Sequence, residues 1–216
     1  MIMHNVTDNI MAVLMLINLA LTASSRLSLC ISLVAVQGIV LALLPLFSHE
    51  GLSPRTAFLA VLVVVMKGLV FPRLLTRAVR DANVRREVEP FVGYSSSILI
   101  GIILLAVSFW IGSRFPLPTS VGVSDLVVPG AIGAILTGLF LLTSRRKAVT
   151  QVMGYLVMEN GIAAFGLAVV PEVPMLIELG IMLDVFVGVF VMAIVIWHIS
   201  REFDHMDADQ LSALKG

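Results

Sequence analysis

Seven long apolar runs constrain this chain more than any other feature, at residues 9–24, 27–48, 56–78, 94–114, 126–143, 149–170 and 175–199. A bilayer core takes a helix of roughly 20 apolar residues, and runs near ~18 residues already read as spans. The runs lack the ten-residue alternation of a membrane barrel. A helix also satisfies its backbone polar groups internally, as lipid demands. The sequence therefore predicts an all-α integral membrane protein of about seven transmembrane helices. Composition agrees: only 13% of the 216 residues are charged, against about 25% in a soluble domain. The single cysteine, Cys30, excludes a disulfide scaffold. Fourteen Lys and Arg balance fourteen Asp and Glu, so no nucleic-acid partner is expected.

The cations orient the spans. Arg26 follows the first run; Arg73, Arg77, Arg80, Arg85 and Arg86 follow the third; Arg145, Arg146 and Lys147 follow the fifth; Arg201 and Lys215 follow the seventh. These eleven share one side of the membrane, and only Arg55 and Arg114 fall on the other. The positive-inside rule then puts the N-terminus outside and the C-terminus in the cytoplasm. Residues 1–8 contain no Lys or Arg, so Asn9 to Ser24 reads as a retained helix rather than a cleaved signal. The outer loops are short and hold Pro54, Pro116, Pro118, Pro171 and Pro174, residues that end helices. The cytoplasmic loop Arg80–Pro90 reads as a solvated segment touching lipid headgroups, or as a contact for a soluble partner. No loop is long enough for a catalytic domain, so any chemistry belongs within the helices or in other subunits.

Charged residues inside the runs are the candidate functional groups, because a charge at mid-bilayer costs about 2.5–3.5 kcal/mol even on insertion scales. Lys67 is eleven residues from both Thr56 and Ala78, too deep for easy snorkelling. Five residues on, Pro72 cannot donate to the Gly68 carbonyl, which predicts a kink or a hydrated spot beside the lysine. Glu159, with Asn160 beside it, falls near the middle of the sixth run. A carboxyl there answers to two opposed influences, desolvation and any nearby cation, and a group so balanced can change protonation during a cycle. Asp184 lies nine residues into the seventh run, between Gly180 and Gly188, which allow close helix approach. Glu178 is a weaker candidate near the outer end, about 240° around the helix from Asp184. Each charge also has a plainer reading, as half of a clamp between helices. Gln37 and Asn18 read as interhelical hydrogen-bonding groups, and His198 as interfacial. No His, Cys and carboxylate set has metal-ligand spacing. Phosphate-loop, dinucleotide and nucleophile-elbow motifs are missing, so no cofactor is expected in this chain.

From Ala131 to Gly216 the order of features resembles the three-helix subunit NuoK of respiratory complex I and the MrpC subunits of multisubunit antiporters. An apolar helix leads to a basic loop, Ser144-Arg145-Arg146-Lys147. A helix with Gly154-Tyr155-Leu156-Val157-Met158-Glu159-Asn160-Gly161 follows, and the final helix carries an acid ahead of Val187-Gly188. Across nearly its whole length, including the Lys67…Pro72 helix and the tail Leu211-Ser212-Ala213-Leu214-Lys215-Gly216, the chain is similar to component E of hydrogenase-4, a membrane subunit of formate-hydrogenlyase-type [NiFe]-hydrogenases. The resemblance implies three parts: an N-terminal four-helix region (1–125), a NuoK-like three-helix region (126–200) and a cytoplasmic tail (201–216). It implies a subunit without a catalytic centre, in a bacterial or archaeal cytoplasmic membrane. Antiporter-like membrane subunits would be its partners, as would soluble subunits holding the [NiFe] centre and iron–sulfur clusters. It implies a proton relay through Glu159, Asp184 and Lys67. Asp184 matches the acidic position of the last NuoK-like helix. The other key glutamate of that subunit falls at Leu156, so Glu159 stands one turn later on nearly the same face. A self-sufficient secondary transporter and a passive assembly subunit are the competing readings.

Overall fold

In the computed structural model the described residues are 2–43, 54–81, 91–115, 124–169 and, within the last predicted span, 180, 183, 186–188, 190 and 191. Regular structure among them is helical, with isolated bridge residues at Arg26 and Arg145. The helices are α1 (Ile2–Ala23), α2 (Leu27–Leu43), α3 (Pro54–Val65), α4 (Phe71–Asp81), α5 (Tyr94–Gly112), α6 (Val127–Ser144) and α7 (Ala148–Val169). A π-helical turn, Met66–Val70, joins α3 to α4 into one rod. The described residues of the seventh run are helical. Four stretches are long and apolar enough to cross a membrane: Val6–Ala23, Ala57–Arg80, Tyr94–Gly112 and Val127–Ser144, and Leu27–Leu43 is a shorter apolar helix. With 22 residues, α7 reaches about 33 Å, enough to cross, although it carries Gln151, Glu159 and Asn160.

The helix bounds depart from the apolar runs where local chemistry extends a helix past its apolar part. The first helix begins at Ile2 rather than at residue 9. Its polar N-terminal turns are held in part by the Ser124 hydroxyl, which donates to Asp8 Oδ1. The third rod begins at Pro54, where the missing N–H is one of the unpaired helix-start donors anyway. It continues to Asp81.

α2 packs against α1, α7 and the α3–α4 rod, and α6 packs against α7, α5 and α1. The α6–α7 contact is the most intimate in the fold, because glycines let the two backbones touch. A Cβ at Gly138 would stand 2.6 Å from Gly154 O, one at Gly154 2.6 Å from Leu142 N, and one at Gly161 2.7 Å from Ile135 N. Lipid tails are as apolar as leucine, so close packing through small residues is what associates such helices.

Two apolar clusters fill the interior. One joins Leu21, Ile31, Val34, Leu75, Val157 and Val191 among others. The second gathers Met11, Leu14, Leu41, Val127, Ala131 and Ala164. Along α2 and α7 the polar residues Gln37 and Asn160 fall between the two clusters, and on α1 Asn18 follows Ile17 at the edge of the first. The bundle therefore has a polar layer near its middle, and the candidate site is that layer.

Candidate functional site

The layer is anchored by Lys67, which is 8% exposed. It lies in the π-helical turn, where the Phe71 N–H donates to Met66 O across one residue more than in an α-helix. Pro72 follows without an N–H, and the wider turn is the structural answer to the helical donor it lacks. The kink or hydrated spot expected from the sequence takes this form. Space for the lysine stem comes from α2: a Cβ at Gly38 would stand 2.7 Å from Lys67 Cβ and 2.9 Å from its Cδ.

The ammonium ends between two consecutive residues of α7. Lys67 Nζ donates to Glu159 Oε2 at 2.5 Å and to Asn160 Oδ1 at 2.7 Å. Both partners are buried, Glu159 at 4% and Asn160 at 1% exposure. The contact spans 92 residues of sequence. It is the buried charge pairing that low dielectric requires. Gly180, from the last predicted span, borders the second carboxylate oxygen: a Cβ there would stand 3.4 Å from Glu159 Oε1.

The pair extends into a chain of amides. Asn160 Nδ2 donates to Gln37 Oε1 at 3.4 Å, and Gln37 Nε2 donates to Asn18 Oδ1 at 2.9 Å. Lys67 fixes the direction of this chain. An ammonium only donates, so Asn160 must present its oxygen to it, and each amide beyond turns the same way. The far end is Asn18 Nδ2, buried without a hydrogen-bond partner among the described residues. The sequence reading of Asn18 and Gln37 as interhelical hydrogen-bonding groups holds, and they belong to the same layer as Lys67 and Glu159. A cavity of about 10 Å³ touches Lys67, Asn160, Pro72 and Leu156, about the minimum for one water. Leu156 thus faces the same small space as Lys67 and Asn160.

Asp184, Glu178 and His198 lie outside the described residues. Among the described residues, no group of three His, Cys, Asp or Glu side chains could hold a metal ion. The sequence reading missed one buried cation. Arg145, counted there as a loop charge, is 1% exposed. Its Nη2 donates to Thr22 O at 3.2 Å, one of the last carbonyls of α1, which a helix end leaves without a helical partner. Its Nη1 has no hydrogen-bond partner among the described residues, and burial draws the Arg145 pKa below the ordinary arginine value. Thr22 is 123 residues away, and nothing in the basic loop's own spacing marks the contact.

Fold and site together define a class: a multi-pass helical membrane protein with a lysine–carboxylate pair in a buried polar layer. Residues 127–216 match the family described as NADH-ubiquinone/plastoquinone oxidoreductase chain 4L. The uncharacterized protein Rv0085 of Mycobacterium tuberculosis is 35% identical over 187 residues, covering 86% of this chain and 84% of that protein. Hydrogenase-4 component E of Escherichia coli is 26% identical over 216 residues, 98% of each chain, and the same protein of Shigella flexneri gives the same figures. No solved structure matches the chain. The chain belongs to one family with Rv0085, and it is similar to hydrogenase-4 component E along nearly its whole length.

Proposed function

We propose that this protein is a non-catalytic membrane-arm subunit of an energy-converting, formate-hydrogenlyase-type hydrogenase complex. Its Lys67–Glu159 pair contributes to a path for proton translocation coupled to redox chemistry in other subunits. The observation that carries the reading is the pair itself, two opposite charges in hydrogen-bond contact at the middle of an apolar bundle. The similarity to hydrogenase-4 component E supports the hydrogenase part, and the chain 4L match over residues 127–216 supports the respiratory-type arm.

The pair suits such a role through electrostatics. Two unit charges about 4 Å apart interact by about 4 kcal/mol at an effective dielectric of about 20. A proton delivered to Glu159 removes that attraction from the Lys67 ammonium, which still donates to Asn160. Losing the carboxylate's negative charge favours release of a proton from the lysine. Asp184 is the second carboxylate of the proposed path, on its match to the acidic position of the last NuoK-like helix, and Glu178 is a lesser member. In this reading the [NiFe] centre and iron–sulfur clusters reside in soluble partner subunits, and antiporter-like subunits adjoin this chain in a bacterial or archaeal cytoplasmic membrane.

One observation favours a second reading. Lys67 is bonded to two side chains of one helix, as in a clamp that only holds α7 to the third rod. A gentle-detergent pull-down of the tagged chain with mass spectrometry of its companions tests the assembly. Co-purification of [NiFe]-hydrogenase and antiporter-like subunits is expected. A stable, monodisperse chain that purifies alone and transports ions in liposomes would overturn the proposal in favour of a self-sufficient transporter.

A further inference from the structure

Glu159 has two carboxylate oxygens, and Lys67 holds one of them. Oε2 takes the ammonium at 2.5 Å. Oε1 accepts no hydrogen bond among the described residues, yet it is not sealed. The fully enclosed polar side-chain atoms left without a partner among those residues are Asn18 Nδ2, Ser144 Oγ and Arg145 Nη1. A carboxylate oxygen with no donor inside an apolar bundle is costly unless water reaches it.

The neighbour of Oε1 is Gly180, and this glycine differs from those that pack the helices. A Cβ at Gly138, Gly154 or Gly161 would come within 2.4–2.7 Å of the backbone of a facing helix. A Cβ at Gly180 would meet Glu159 Oε1 at 3.4 Å, an ordinary contact, and no other atom of the described residues lies within 4 Å of it. Gly180 is also half-buried rather than enclosed. Farther along the same span the seam is closed. Val187 and Val191 are buried, and a Cβ at Gly188 would face Phe71 Cε1 at 3.8 Å and Leu74 Cδ1 at 4.0 Å. An alanine at position 180 would therefore fit. What the glycine leaves against Oε1 is a recess the size of a methyl group, comparable with one water.

Other approaches to the pair suit a proton less well. Asn160, Gln37 and Asn18 are neutral amides without a titratable proton. The small cavity on the lysine side is walled largely by Ile31, Val34, Phe71, Leu75 and Leu156.

We infer that Gly180 is a positioning residue for the protonation of Glu159. It keeps Oε1 open to a water between α7 and the last predicted span, and the proton arrives there. A hydrated proton gives its proton to Oε1 and leaves neutral water, while Lys67 loses its counter-charge. This role rests on the proton path proposed above. The test is infrared spectroscopy of the full chain in lipid nanodiscs after a rapid jump to acid. It follows the Glu159 carboxylate band as it converts to the carboxyl band, both identified by their absence in Glu159→Gln. Gly180→Ala should keep the thermal stability of the parent and slow the conversion, and Gly180→Val should slow it by about tenfold or more. Gly188→Ala, on the same span and equally free of clash, should convert at the parent's rate. Should Gly180→Val not fold, Gly180→Ala decides alone. Parent rates in the Gly180 variants, or equal slowing by Gly188→Ala, overturn the role of Gly180 and leave the proton path standing. A parent chain whose Glu159 band does not respond to acid overturns both.

Discussion

A lysine that spans from one helix to a glutamate 92 residues away is most directly tested by removing each partner and then both. Taking one member of a buried pair leaves the other charge uncompensated, at a cost of about 3–5 kcal/mol. Lys67→Met and Glu159→Leu should each lower the thermal stability of the purified chain in mild detergent. The double variant should lose less than the two single losses added, with a coupling of about 0.5–3 kcal/mol. Strictly additive losses would mean that the pair does not interact. Asn18→Leu or Gln37→Leu, which cut only neutral hydrogen bonds, should cost less, on the order of 1 kcal/mol. At this scale the sequence is informative about which residues matter, because Lys67, Glu159, Asn160, Gln37 and Asn18 are polar groups in apolar runs. It is silent on who meets whom, since each contact joins separate helices. Arg145 shows the limit in the other direction. A basic loop after a span looks solvated, and only the packing of α1 beneath it turns that arginine inward to Thr22.

Glycines decide how the helices approach each other, and two of them separate general packing from the geometry of the site. A side chain at Gly154 meets backbone of α6, Leu142 N at 2.6 Å and Gly138 O at 2.9 Å, and backbone does not swing aside. Gly154→Val should force α6 and α7 apart and cost at least about 1–3 kcal/mol. Gly38→Ala presses on the Lys67 stem instead. It should weaken the Lys67–Glu159 coupling measured in the double-variant comparison. Gly133→Ala, whose Cβ would meet Ser108 Oγ at 3.2 Å, should leave that coupling as it was. Equal effects of Gly38→Ala and Gly133→Ala on the coupling would contradict the role given to Gly38. The helices themselves were legible from apolar length, with bounds off by one to three residues in the third rod, α5, α6 and α7 and by seven at the start of α1, where polar turns continue the helix. Pro72 was legible as a disturbance. Its resolution as a π-helical turn was not, because a missing donor is met by a kink, a water or a wider turn depending on the neighbours it has.

For the whole molecule, the fold class follows from one quantity, the amount of apolar surface no soluble core can hide, together with the spacing of its polar breaks. The charge asymmetry across the runs supplies an expected orientation. Similarity over nearly the whole length then links the bundle to hydrogenase-4 component E, and the ion pair carries the proposal for what the bundle contributes. The central claim is that protons move through this layer during turnover of the complex, so the most direct measurement is proton uptake per two electrons by inverted vesicles. The vesicles carry the assembled complex with Glu159→Gln, Lys67→Met or the unaltered chain, and assembly is checked by native gel. The account predicts assembled complexes that still evolve hydrogen, with proton uptake reduced to the leak of the membrane in both variants. Undiminished uptake per electron in both would contradict it and leave the pair as a clamp.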